Sequence, residues 1–197
     1  MGVPFVGLTG GLGAGKSEAL DALRELGAAT LSTDTVVHEL LADPDLRELV
    51  SSRLGADVVR DGSLDRSAIA ERVFADDEAR SWLEGVLWPR VGERVGAWRA
   101  EVESADPRPR AAVVEVPLLF ESGMEAIFDR TIAVVADEAV RVERAGRRGH
   151  AALAERTGRQ LTQEQKAQRA DFTVRNDGSR DELKETLSLV LGKLDET

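Results

Sequence analysis

An apolar run, Pro4-Phe5-Val6-Gly7-Leu8-Thr9, leads straight into Gly10-Gly11-Leu12-Gly13-Ala14-Gly15-Lys16-Ser17, and no other stretch restricts the fold as strongly. The octapeptide fits G-x-x-x-x-G-K-[ST], with Gly10, Gly15, Lys16 and Ser17 at the defining positions. The run before it has the length of a buried strand. After it, Ala19, Leu20, Leu23 and Leu26 recur at helical spacing. Between a strand and a helix, glycines let successive backbone N–H groups converge on phosphate oxygens without Cβ clashes. The helix N-terminus adds unpaired donors and the positive end of a dipole. Lys16 suits the β and γ phosphates and Ser17 suits Mg²⁺, whereas Glu18 would offer its backbone N–H and turn its carboxylate away. The motif predicts a nucleoside triphosphate site but not what is done there.

Composition narrows the rest. The 197 residues contain no cysteine, which removes disulfides, thiolate metal sites and a cysteine nucleophile together. Two histidines, His38 and His150, read as surface or packing residues, so a histidine-rich metal centre is not expected. The formal charge of −10 argues against nucleic-acid binding, which draws most of its affinity from neutralised phosphates. No apolar run approaches the ~20 residues that span a bilayer, and Met1 to Phe5 lacks the features of a signal peptide. A cytoplasmic protein is the expectation.

Further strands are predicted at Ala28–Leu31, Ala111–Val116, Thr131–Val135 and Phe172–Val174, alternating with helices. That alternation implies a parallel sheet covered by helices on both faces. Asp43-Pro44, Asp65 and Asp76 read as helix starts, and Pro89 should kink or break the helix after Asp76. Thr162-Gln163-Glu164-Gln165 and Ser179-Arg180-Asp181-Glu182 fit capping boxes. Leu183, Leu187, Val190, Leu191 and Leu194 mark one face of a last helix. Asp43 to Glu103 carries helix signals and no strand signal, which predicts an inserted helical region. Its tryptophans Trp82, Trp88 and Trp98 read as core fillers, though one could line an acceptor pocket.

Among nucleotide-binding proteins, a guanine-nucleotide switch would carry an N/T-K-x-D motif, and none occurs. A small-molecule kinase needs a base for the acceptor hydroxyl and cations for the moving phosphoryl group. Asp34, just past the second strand, could be that base or the N-cap of a helix from Thr35. Glu115, set in the apolar Val113-Val114-Glu115-Val116, could lie near Mg²⁺ or in a structural ion pair. Arg141, Arg144, Arg147, Arg148, Arg156 and Arg159 could clamp polyphosphate or form a solvated basic face. A P-loop kinase for another metabolite and a regulatory nucleotide switch are the rival readings.

Several longer segments resemble the dephospho-CoA kinase family nearly end to end. They are Val6 to Ser17, Thr33-Asp34, Asp61-Gly62-Ser63-Leu64-Asp65-Arg66, Phe74-Ala75-Asp76 and Val116-Pro117-Leu118-Leu119-Phe120-Glu121-Ser122-Gly123. Arg156 to Gln160, Ala170-Asp171-Phe172 and Asn176-Asp177-Gly178 complete the series. The resemblance implies a P-loop kinase-type three-layer α/β/α fold that makes one domain. Its core would cover about 1–42, 110–136 and 170–197, with a helical acceptor region at about 43–109 and a lid at about 137–169. It implies transfer of the ATP γ-phosphoryl group to the ribose 3′-hydroxyl of dephospho-CoA, with Mg²⁺ and no nucleic-acid, membrane or protein partner.

Carried over by position, Asp34, Lys16, Arg144 and Arg148 become catalytic, with Arg147 their neighbour. Gly11, Leu12, Gly13, Ala14, Gly15, Lys16, Ser17, Glu18, Arg156, Asn176 and Gly178 would bind ATP, the last two near the adenine. Thr9, Asp34, Pro117, Leu118 and Leu119 would meet the acceptor, and Ser17 and Glu115 the metal. The chain departs from the family pattern at Glu18 (usually Thr), Trp88 (usually His), Glu115 (often Asp) and Gly149 (commonly Asp). Its lid is slightly short.

Overall fold

A computed structural model describes residues 2–147 and 160–195. In chain order the elements are β1 (Phe5–Gly10), α1 (Lys16–Glu25), β2 (Ala29–Ser32), α2 (Thr33–Leu41), α3 (Pro44–Leu54), β3 (Val59–Arg60) and β4 (Ser63–Leu64). Then come α4 (Arg66–Ala75), α5 (Asp77–Glu103), β5 (Ala112–Glu115), β6 (Arg130–Val135), α6 (Glu138–Arg147), α7 (Gln163–Arg169), β7 (Phe172–Arg175) and α8 (Arg180–Asp195). They divide into two compact units, 1–32 with 99–197, and 33–98. The second unit begins at Thr33, so α2 falls within it, and the stretch from Arg99 belongs with the first.

The first unit is a five-stranded parallel sheet in the order β2-β5-β1-β6-β7. Every residue of β1 and β5 is buried, as expected of parallel strands covered on both faces. The helical stripe of α8 packs with α1 over this sheet: Leu183, Leu187, Leu191 and Leu194 join Leu20, Leu23, Val6, Leu8 and Val134 in one core. Each buried leucine contributes roughly 1.5–3 kcal/mol relative to an exposed one. Ser179 starts α8 with the expected box, its Oγ accepting from Glu182 N at 3.3 Å and its N–H donating to Glu182 Oε2 at 2.8 Å. Thr162 and Gln165 close the same motif at α7.

The second unit has its own core of Leu41, Leu46, Val50, Leu54, Val58, Leu64, Ile69, Ala79 and Leu83. Asp43 and Asp65 cap α3 and α4 through their carboxylates, and Asp76 accepts from Glu78 N and Ala79 N. Three expectations need correction here. The region is not free of strand, because β3 and β4 form a small antiparallel hairpin. Asp61 (φ 53°) and Gly62 (φ 76°) make its two-residue turn, and Asp-Gly is the sequence signal for that turn.

Pro89 does not break its helix either, since α5 is continuous across it. Ala79 and Leu83 before the proline and Val91 and Val95 after it are all buried. Burial on both sides outweighs the one ladder hydrogen bond that proline removes. Nor are the tryptophans core residues: all three are half-buried, and Trp82 flanks the cluster. Among the described residues, no helix is long and apolar enough to cross a membrane.

Candidate active site

The C-terminal ends of parallel strands are where an α/β sheet holds its ligands, and the glycine loop continues from that end of β1. Two glycines make its path possible. Gly13 (φ 73°) runs so close to α6 that a Cβ there would lie 2.5 Å from the Arg141 carbonyl oxygen. Gly15 (φ 89°) is the N-cap of α1, and a Cβ on it would strike the Asn176 amide nitrogen. With no side chain at this cap, the first N–H groups of α1 face outward as anion donors. Lys16 Nζ folds back over the loop and donates to Gly10 O at 3.3 Å and Gly11 O at 3.2 Å. Ser17 follows it, exposed.

Asn176 braces the loop from beneath. It is 2% exposed, and its Nδ2 donates to Ala14 O at 3.0 Å and Glu18 Oε2 at 3.3 Å. Arg144 holds the other side of Asn176, donating from Nη1 to its carbonyl at 2.9 Å. Arg141 donates from Nε to Leu12 O at 2.9 Å. Arg141 thus docks α6 onto the loop, and Arg144 docks it onto Asn176, both by carbonyl hydrogen bonds. Gly11, Leu12, Glu138, Arg141 and residues 160–164 line a cleft of about 290 Å³ beside it. Gly178 lies in the turn before α8, close against Glu182. Arg147 ends the described part of α6, and Arg148, Arg156 and Arg159 lie outside the described residues.

Next to Asn176, Asp177 has its own electrostatics. Burial would raise its carboxyl, but hydrogen bonds from Asp137 N–H and Arg175 and the charge of Arg144 outweigh that effect. It stays ionised below the usual aspartate range.

Glu115 is the last residue of β5, buried, and in register with Leu8 of β1 and Ser32 of β2. The chain then turns through Pro117 and Leu118, half-buried, to Leu119, which is fully buried beneath Gly7 of β1. Thr9 is buried and donates from Oγ1 to Pro117 O at 3.3 Å. Asp34 lies in the second unit, exposed, in the first turn of α2. Because α2 starts at Thr33, Asp34 is not its N-cap, and its charge there complements the helix dipole.

Other residues of this edge carry no local signature. Lys166 of α7 is completely buried, with Nζ 2.6 Å from Pro117 O and 3.0 Å from Glu121 Oε1. Glu121 Oε1 also accepts from Leu161 N at 2.9 Å. Gln163 pairs both of its amide atoms with the backbone of Ala136, accepting from N at 3.2 Å and donating to O at 2.9 Å. Asp171 accepts from Thr131 N and Oγ1, each at 2.7 Å, and ties β7 to β6. Sequence reasoning reached Glu121 and Asp171 as members of longer motifs and missed Lys166 and Gln163 as site residues. A lysine in a helix pattern looks solvated until its neighbours are known.

A model of the dephospho-CoA kinase family matches residues 4–182. The chain belongs to the dephospho-CoA kinase family. The matched span takes in both compact units. A dephospho-CoA kinase of Protochlamydia amoebophila is 37% identical over 187 residues, covering 92% of each chain. A crystal structure of TT1252 from Thermus thermophilus superposes with a TM-score of 0.83 at 31% identity, over 98% of this chain and 99% of that one. The dephospho-CoA kinase of Campylobacter jejuni shares the fold, with a TM-score of 0.64 at 22% identity and 98% of each chain covered.

Proposed function

We propose that this chain transfers the γ-phosphoryl group of ATP to the 3′-hydroxyl of the dephospho-CoA ribose, giving ADP and coenzyme A in the last step of coenzyme A synthesis. The observation that carries the reading is a complete phosphate loop inside a family match that spans both units. The bond from γ-phosphorus to the β,γ-bridging oxygen breaks, and a bond to the ribose oxygen forms. Asp34 takes the proton of that hydroxyl. Its carboxylate is exposed, as a group that must meet a substrate has to be.

Lys16 and the α1 N-terminus neutralise charge on the phosphates, with the lid cations Arg144, Arg148 and Arg156 closing over them. Arg144 already reaches Asn176 beside the loop, which supports its place near ATP. Leu12, Gly13, Ala14 and Gly15 present N–H groups, and Asn176 and Gly178 shape the adenine side. Thr9, Pro117, Leu118 and Leu119 form the acceptor wall. The donor set fits Mg²⁺: a hydroxyl at Ser17 and a buried carboxylate at Glu115. Magnesium keeps several waters and binds through one or two protein oxygens plus phosphates. When bound it would neutralise the β- and γ-phosphate oxygens. A reaction that draws on ATP fits a cytoplasmic location.

A panel of acceptors incubated with Mg·ATP tests the reading by ADP and product formation. Product with dephospho-CoA alone supports it. ADP release without any acceptor overturns it in favour of a switch or ATPase, and preference for another acceptor makes the chain a different kinase. Asp34→Asn should lower kcat about 10²–10⁴-fold while ATP affinity stays nearly unchanged, and an active variant would sink the assignment of the base.

A further inference from the structure

Lysine is almost never fully buried without a partner, yet Lys166 has no exposed surface. Its ammonium sits between two acceptors that are each already shared. Pro117 O also receives Thr9 Oγ1, and Glu121 Oε1 also receives Leu161 N. The second oxygen, Glu121 Oε2, is buried with no hydrogen-bond partner among the described residues. Stability alone does not explain such a pair, because well-packed apolar replacements of a buried ion pair are often neutral or stabilising. The pair does give geometry. It fixes both ends of the turn from Pro117 to Glu121, while Leu119 seals that turn against β1.

The same helix reaches the phosphate loop. Gln163, one turn before Lys166, lies so near Gly11 that a Cβ there would sit 3.2 Å from the Gln163 Cβ. One short helix therefore touches the nucleotide loop with its first residue and the 117–121 turn with its fourth.

We propose that Lys166 is a positioning residue for the phosphoryl acceptor. Through Pro117 O and Glu121 it holds the 117–121 turn in the conformation that receives dephospho-CoA, in register with the phosphate loop that α7 also touches. This rests on the function proposed above, in which Pro117 and Leu118 face the acceptor.

The test separates positioning from stability. Lys166→Met leaves the Glu121 carboxylate without its cation and with one oxygen buried and unbonded, so it should lower the melting temperature and also raise KM for dephospho-CoA. The double variant Lys166→Met/Glu121→Leu removes the uncompensated carboxylate as well and should restore the melting temperature. It should keep a KM for dephospho-CoA raised about tenfold, with the KM for ATP within about twofold of wild type. Hydrogen exchange at the Ser122 and Met124 amides, which bond back to Leu118 O and Leu119 O, should be faster in the double variant.

An acceptor KM that returns to the wild-type value together with the melting temperature would overturn the proposal, as would equal losses for both substrates. Unchanged exchange at those amides would overturn it as well. Wild-type enzyme inactive on dephospho-CoA would instead refute the function, while the exchange measurement would still decide whether Lys166 holds the turn.

Discussion

The phosphate loop and the cluster around Lys166 occupy the same C-terminal edge of one sheet and are built in opposite ways. The loop is a local construction: eight consecutive residues, positive φ at Gly13 and Gly15, and backbone N–H groups as its chemistry. The cluster is assembled from side chains and carbonyls of β1, the turn after β5 and α7, with Lys166 and Pro117 separated by 49 positions in the chain. A backbone site tolerates almost no added atom, because its neighbours approach where a Cβ would stand. A side-chain site tolerates exchange of its members in pairs but not one at a time.

The largest test of that contrast is Gly15→Ala. A left-handed φ penalises any L-residue, and the new methyl group would displace the Asn176 amide. Thermal unfolding should show a loss of roughly 2–5 kcal/mol, and nucleotide titration should show ATP binding weakened more than tenfold. A Gly15→Ala protein with wild-type affinity would break the comparison.

Asn176→Ala should have a smaller effect, about 1–3 kcal/mol, for leaving Ala14 O without its buried donor. Combining the two sharpens the point. With the amide gone, the Gly15→Ala methyl group has room and only the φ strain remains, so the double variant should lose less than the two singles together. Strict additivity in a denaturant series would mean that Gly15 and Asn176 do not sense each other.

The smallest effect concerns pH. Asp177 has a lowered carboxyl in the folded chain, so the stability it contributes is complete above the unfolded aspartate value of about 4 and disappears as pH falls through the lower folded value. Asp177→Asn should therefore reduce the melting temperature at neutral pH and match wild type in strong acid. A difference that persists in acid would assign the effect to shape rather than charge.

The same contrast explains how much the sequence made legible. The glycine loop, the caps at Asp43, Asp65, Thr162 and Ser179, and the α8 stripe are all patterns within a few residues, and each stands where it was expected. The parallel sheet covered by helices and the P-loop kinase fold followed from alternation and from the family's motifs, whereas the strand order β2-β5-β1-β6-β7 comes from the structure. What escaped depends on distant neighbours. Lys166 is a charge on a short polar helix until Pro117 and Glu121 cover it, and Asn176, expected near the adenine, shows its hold on Ala14 only when Gly15 backs onto it. The continuity of α5 through Pro89 is decided by burial on both sides of the proline. The β3–β4 hairpin is different: its Asp61-Gly62 turn is a local signal, set in a stretch where every other signal is helical.

The pairing of Gln163 with Ala136 bears on how the family's chains can vary in length. Those two residues are 27 positions apart yet joined by two hydrogen bonds, so they form a neck at the rim of the sheet. A change of length beyond α6 need not shift the strands, since even doubling a closed segment costs only about 0.6 kcal/mol of closure entropy. Insertions and deletions among related enzymes should gather between α6 and Gln163 and be absent from the turn that Lys166 holds.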